Sequence, residues 1–347
     1  MSSNPAWSAS YSKNSMPNLY LSNMPAPYRM DLYRSLAQEL DCVICFEEVR
    51  EGVPGLDVRP WSLRTLPALF RQARPRIVFV PEFSAAAILA LWLRKSLGFK
   101  VVSFCDCSMD MIQGHDFGWK HHLARRIVPK WLDNIILHSP EVAEWYRKHY
   151  GKGLVMPILA DERRIRPELE RVLPLSERMR PSEKPVVAFV GRLVGLKNVP
   201  TLIRAFEPLK DRATLVIIGD GPDRASLEAM APEALFTGML SGDELLAWYN
   251  LIDILVLPST QEAYGAVTGE ALMAGAKVIV SRKAGSSALV RVSFNGYDVD
   301  PMDVPMMTEY LSSLLDGFPD GRSLTLRDNL HPDRFATCFS TLLKGLR

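Results

Sequence analysis

Short apolar runs alternate with helix-length amphipathic segments along nearly the whole chain, and that alternation admits few folds. Runs at residues 19–23, 42–47, 77–81, 101–105 and 134–138 read as strands, with 28–40, 62–72, 85–97, 120–130 and 140–149 as helices between or after them. Residues 161–184 break the pattern, being charged and Pro-containing with no clear strand and room for one short helix. The alternation then restarts, with strands at 186–191, 215–219, 234–237, 254–258 and 277–280 and helices at 200–208, 222–230, 241–250 and 267–274. The expectation is an α/β protein of two doubly wound domains, 1–160 and 185–330, joined by a linker at 161–184. A last helix at 331–347 can pack back on the first domain. Ligands in such folds bind at the carboxyl ends of the strands, here in the cleft between domains.

A chain of 347 residues has ample material for two cores. At 48% hydrophobic and 23% charged it is not a disordered chain, and a net charge of +2 gives no reason to expect nucleic acid. Charge is uneven, however: Arg59, Arg64, Arg71, Arg74 and Arg76 run together with no acid between Pro60 and Pro81, which points to an anionic surface. The 5 cysteines are an odd number and poorly spaced for a disulfide framework, as expected of a cytoplasmic protein. Cys42 and Cys45 sit in an apolar strand whose alternation sends them to opposite faces, so they read as buried, inert thiols. Residues 1–18 lack the apolar core of a signal peptide, and the best apolar stretch, 83–92, stops at Arg94-Lys95, short of a membrane span. Any meeting with a membrane is expected from the side.

Three strand ends carry the chemistry. The first strand of the second domain runs into Gly191-Arg192-Leu193-Val194-Gly195-Leu196-Lys197-Asn198, which brings two cations to one turn before a helix, within reach of one anion. The next ends in Ile218-Gly219-Asp220-Gly221-Pro222, whose glycines permit close approach by a ligand or simply make a tight turn. The strongest constellation runs from Pro258 through Glu262, Tyr264, Gly265, Ala266 and Glu270 to Gly275. Glu262 falls in the loop beyond a strand, facing the cleft, and Glu270 in the helix that follows, where it could accept from a diol. The N–H groups around Gly265 to Thr268, at the positive end of that helix, suit a phosphate.

These residues resemble the retaining nucleotide-sugar glycosyltransferases of the GT-B fold, in the large family 4. Gly191-Arg192-Leu193 with Lys197-Asn198 looks like the family's phosphate-contacting segment, and Ile218 to Pro222 and Phe236-Thr237-Gly238 match its next two strand ends. Glu262 and Glu270 match its paired glutamates, and Asn295-Gly296 its late turn. The first domain is similar at Asn23 to Arg29 but departs where many members carry a histidine after a middle strand: here Cys105 is followed by Asp106 and Cys107, with His115 further on. His121 and His122 read as surface residues. Asp298 and Asp300 resemble a metal-binding acid pair of the other glycosyltransferase fold, yet read better as a solvated turn. Gly285-Ser286-Ser287 resembles a family turn but lacks the glutamate after it. No metal is assigned.

The resemblance implies two Rossmann-like domains facing across a cleft, no cofactor, and a UDP-sugar or GDP-sugar as donor substrate. A hexose would pass to a hydroxyl acceptor with retention, Arg192, Lys197 and the helix start near Gly265 stabilising the diphosphate, Glu262 on hydroxyls of the sugar, Glu270 on the ribose, backbone near Met239 at the base, and Gly191, Gly219, Tyr264 and Ala266 also among the donor-binding residues. Asp106 and His115 are the catalytic candidates of the first domain. The rival readings are a GT-B epimerase and a catalytically silent nucleotide-sugar binding or membrane scaffold protein. Basic and aromatic residues interleave in 59–76 and 119–131, so the expected acceptor is a glycan, in particular a lipid-linked one met on the cytoplasmic face of a membrane, as in surface polysaccharide synthesis.

Overall fold

In a computed structural model of the chain, which describes residues 16–47, 55–113, 119–292, 294–318, 324, 329 and 334–346, the apolar runs lie in two sheets. The first comprises β1 (Asn18–Ser22), β2 (Cys42–Phe46), β3 (Val58–Pro60), β4 (Ile77–Pro81), β5 (Lys100–Cys105), β6 (Asn134–Leu137) and β7 (Leu154–Val155), in the order β3-β2-β1-β4-β5-β6-β7. The second comprises β8 (Val186–Val190), β9 (Thr214–Ile218), β10 (Leu235–Gly238), β11 (Ile254–Leu257), β12 (Lys277–Ser281) and β13 (Gly296–Val299), in the order β10-β9-β8-β11-β12-β13. The described strand registers are parallel in both. In each sheet the first strand lies beside the fourth, the reversal of winding that defines a Rossmann-like half. By contacts the chain forms two compact units, Met1–Phe104 with Leu123–Ile135 and Cys105–His122 with Ile136–Arg347. The six-stranded sheet lies wholly in the second.

Burial explains the strands. β8 reads Val-Val-Ala-Phe-Val and every residue is buried, as a parallel strand covered on both faces requires. Helices punctuate as their ends dictate. Helix Ala85–Leu97 opens at Ser84, whose side chain accepts from the Ala87 N–H, and closes at Gly98 in a left-handed conformation. Cys42 and Cys45 are buried in β2, and burial pushes the Cys42 thiol well up and that of Cys45 to about 12, which keeps both inert.

Three expectations need correction. The stretch 161–184 holds two helices, Glu162–Arg171 and Leu173–Met179, docked on helix Gly242–Leu251 by Asn250, which donates to the Leu169 carbonyl, and by a two-pronged ion pair of Arg171 with Asp243. Asp298 is no solvated turn: it lies in β13, paired with β12, and accepts from Arg282 Nε at 2.6 Å. In the Arg59 to Arg76 segment Trp61, Leu66 and Phe70 are core residues, so its aromatics face inward, and of its large apolar side chains Leu63 is exposed, beside Arg64, Arg71, Arg74 and Arg76. No helix among the described residues is long and apolar enough to cross a membrane.

The carboxyl ends of β8 and β9 are joined by backbone. Gly191 N–H donates to the Ile218 carbonyl at 2.9 Å, Leu193 N–H to Asp220 at 2.9 Å, and Asp223 N–H to Leu193 at 3.1 Å. Gly219 makes this possible: at φ 139° a Cβ there would stand 1.9 Å from the Gly191 carbonyl oxygen. Gly219→Ala is therefore expected to cost about 3 kcal/mol in urea denaturation, whereas Gly195→Ala, in a neighbouring loop with open space, should stay within about 0.5 kcal/mol. Equal midpoints for the two variants would contradict the close approach.

Candidate active site

The winding of the second sheet reverses between β8 and β11, and the loops leaving those strands meet there. Hydrogen bonds hold them to each other and to the stretch after β13. Thr260 N–H donates to the Leu196 carbonyl at 2.9 Å, and Asn198 Nδ2 donates to Pro258 at 3.1 Å and to Pro301 at 2.8 Å. Asn198 is buried in a left-handed conformation (φ 53°), with Thr201 donating to its Oδ1. That lock sets Lys197 against Glu262: the ammonium donates to Glu262 Oε2, which also accepts from Ser259 Oγ at 3.4 Å. The pair is mostly sheltered, with 20% and 14% of the two side chains exposed, so each charge neutralises the other at the crevice where a ligand is expected. Arg192, on the same loop, is exposed.

Beyond Glu262 the chain turns at Gly265, whose φ of 90° and a Cβ position only 2.5 Å from the Leu257 side chain leave room for no other residue. The turn is fastened to the loop after β12: Glu262 bridges Ala284, Ser286 N–H donates to the Tyr264 carbonyl at 2.8 Å, and Thr268 and Ser286 share a hydroxyl hydrogen bond of 2.9 Å. Ala266 then leads into helix Val267–Ala274, whose positive end lies beside Gly265, with the Thr268 N–H on the Gly265 carbonyl at 3.1 Å and the Gly269 N–H on that of Ala266 at 3.0 Å. Glu270, in that helix, accepts from the hydroxyl of Tyr249. Burial raises the pKa of Glu270, against the lowering effects of the Tyr249 bond and the Arg164 charge.

The other expected residues fall as follows. Gly191 and Gly219 form the backbone contact described above. Met239, just past β10, is 78% exposed. Tyr264 is buried. His115 lies outside the described residues. Asp106 has a partner that sequence reasoning missed: His138, buried at the end of β6, places Nε2 2.6 Å from Asp106 Oδ1 and Nδ1 2.7 Å from the Met156 carbonyl. The His138 ring also lies edge-on to Tyr264, 5.9 Å between centroids, which joins Asp106 to the Glu262 loop through one imidazole. The signal was present in Leu137-His138-Ser139-Pro140, a polar ring at a strand's carboxyl end directly before a helix-starting proline. A separate cavity of about 500 Å³, lined by Lys184, Phe206 and Thr214 among others, lies by the amino end of β9, away from these groups.

Residues 184–317 match the family model described as Glycosyl transferases group 1. A GDP-mannose-dependent alpha-mannosyltransferase of Mycolicibacterium smegmatis is 33% identical over 191 residues, 53% of this chain and 47% of that protein. A GDP-mannose-dependent alpha-(1-6)-phosphatidylinositol monomannoside mannosyltransferase of Mycobacterium tuberculosis is 28% identical over 67% of this chain and 66% of its own length. The chain thus spans about half the length of the first relative. Among solved structures, a sucrose-phosphate synthase from Thermosynechococcus elongatus superposes with a TM-score of 0.73 over 95% of this chain and 97% of its own, at 15% identity. That likeness shows the fold, the GT-B class of two Rossmann-like halves.

The raised pKa of Glu270 has a measurable sign. The folded protein holds this proton more tightly than the unfolded chain does, so stability from this group falls as pH rises from about 4 through the raised pKa. The stability difference between wild type and Glu270→Gln, from urea midpoints, should shift against wild type over that rise. A difference independent of pH would contradict the assignment.

Proposed function

We propose that this chain, a group 1 glycosyltransferase by the match of residues 184–317, moves a hexose from a nucleotide diphosphate sugar to a hydroxyl of a lipid-linked glycan. The observation that carries the reading is the Lys197–Glu262 pair at the winding reversal, beside the Gly265 turn and a helix N-terminus. An anionic diphosphate fits there. Arg192, Lys197 and the positive end of the helix after Gly265 would share its charge, and that charge grows as the bond from the anomeric carbon to the phosphate oxygen breaks. Donors fixed in advance stabilise the developing charge without reorganising, so the same groups would serve binding and catalysis.

The other roles follow from position. Glu262, displaced from Lys197 by phosphate, would accept from hydroxyls of the sugar, and Glu270, steadied by Tyr249, would accept from the ribose. Asp106, oriented by His138, would face the transferred sugar. The new bond from the acceptor oxygen to the anomeric carbon would form on the face the phosphate leaves, giving retention, with the hydroxyl proton passing to the departing phosphate oxygen. The two mannosyltransferase relatives favour GDP-mannose as donor. With Arg192 and Lys197 to balance the diphosphate, turnover should survive excess EDTA. The acceptor places the reaction at the cytoplasmic face of a membrane.

Thermal denaturation with GDP-mannose, UDP-glucose and ADP-glucose tests the donor, since a ligand of the folded state raises the midpoint by mass action. One of the three should stabilise the protein; no shift with any would contradict the reading. Arg192→Ala, at an exposed side chain that leaves the fold intact, should lower donor turnover by roughly ten- to a thousandfold. Wild-type turnover in this variant would remove Arg192 from the diphosphate site.

A further inference from the structure

Helices Ala85–Leu97 and Trp119–Trp131 carry no acidic residue. They connect β4 to β5 and β5 to β6, neighbours in that order in the first sheet, and right-handed crossovers that advance in one direction place both on the same face of the sheet. Ion pairs fasten the two: Arg94 meets Asp133 at 3.0 Å, just past the second helix, and Arg125 meets Glu82 at 4.0 Å, just before the first. The helices therefore run side by side in one direction, with one flank on the sheet and the other turned outward.

The outward flank is apolar at helical spacing. On the first helix Ile88 and Trp92 are exposed, four residues apart, Trp92 to 76%. On the second, Leu123, Ile127 and Trp131 recur every four residues and are all exposed, Trp131 to 58%. Arg126 and Lys130 each precede one of these by a single position, and Lys95 follows Trp92 by three; all three cations are exposed. Core packing uses the other sides of the same helices, at Ala86, Ala87, Ala90, Leu93 and Val128. Two exposed tryptophans on one layer are a cost to a chain that meets only water.

We infer that this two-helix face is the surface by which the protein lies on an anionic lipid bilayer, its tryptophans and aliphatic side chains at the boundary of headgroups and acyl chains and Lys95, Arg126 and Lys130 among the phosphates. Charge complementarity selects that occupant: cations ring the apolar patch and neither helix offers an acid, whereas an apolar protein partner would gain nothing from such a rim. The face replaces the Arg59 to Arg76 segment, whose aromatics are core, as the membrane contact. It rests on the lipid-linked acceptor of the proposed function and supplies the means of staying near one.

Co-sedimentation tests it with vesicles of phosphatidylcholine alone and of phosphatidylcholine with phosphatidylglycerol, at low and moderate salt. Wild type should bind the anionic vesicles at least roughly tenfold better than the neutral ones, with binding weakened by salt. Trp92→Ser with Trp131→Ser, and separately Lys95→Glu with Arg126→Glu and Lys130→Glu, should each reduce anionic binding by roughly tenfold or more. All five side chains are exposed, so both variants should melt with wild type. Absence of binding, equal binding to both vesicles, or wild-type binding by both variants would overturn the inference. So would a concentration-dependent dimer, seen by sedimentation equilibrium and lost in the tryptophan variant, without vesicle binding. Donor-induced thermal shifts on the same samples separate the two readings. Vesicle binding with no shift from any nucleotide sugar upholds the face and refutes the transferase; a donor shift without vesicle binding does the reverse.

Discussion

Leu193 is buried between two backbone partners, its N–H on the Asp220 carbonyl and its carbonyl on the Asp223 N–H, and the whole carboxyl end of the second sheet is arranged around that pair of bonds. They fix the loop after β8 to the loop after β9. Asn198 then fixes it to the end of β11. Once both neighbours are bound, the loop backbone keeps Lys197 against Glu262 at the reversal point, and a cation held in place needs no reorganisation when charge develops beside it. Gly219 and Gly265 are where this arrangement admits no side chain, since a Cβ at either would strike backbone or core.

The electrostatics carry a tension. Lys197 and Glu262 satisfy each other in the free protein, and each is sheltered enough that loss of its partner would be felt. A diphosphate would take over the lysine and release the glutamate toward the sugar, so donor binding and orientation of Glu262 would be one event. Glu270 is different in kind. Its partner is a neutral phenol, Tyr249, and burial already favours its protonated form, so it is suited to a hydrogen bond with a diol and poorly suited to a second charge.

Much of this was legible because buried parallel strands are short, β-rich and bounded by glycine. β8, β9, β11 and β12 read directly from their apolar runs, and Gly191, Gly219 and Gly265 marked the turns that follow or lead out of them. What escaped was of two sorts. Local signals were masked by charge: Glu162–Arg171 has an amphipathic helical repeat, but seven of its ten residues are Arg or Glu beside a proline, and β13 carries Asp298, which looks solvated until Arg282 is seen against it. Long-range pairings were invisible for a simpler reason. Nothing in the sequence says that His138 reaches Asp106 across 32 positions, or that Lys197 reaches Glu262 across 65. The aromatics between Arg59 and Arg76 show the converse, since a basic, aromatic segment has the same composition whether its rings face lipid or core.

The central claim is that a nucleoside diphosphate competes with Glu262 for Lys197. Calorimetric titration of free GDP and UDP into wild type, Lys197→Ala and Glu262→Gln measures it directly. Loss of the lysine should weaken binding of the preferred diphosphate by roughly tenfold or more, whereas loss of the glutamate's charge removes the competitor and should leave binding equal or tighter. An equal loss of affinity in both variants would contradict the account, because it would mean that the pair holds the loops together and takes no part in gripping the phosphates.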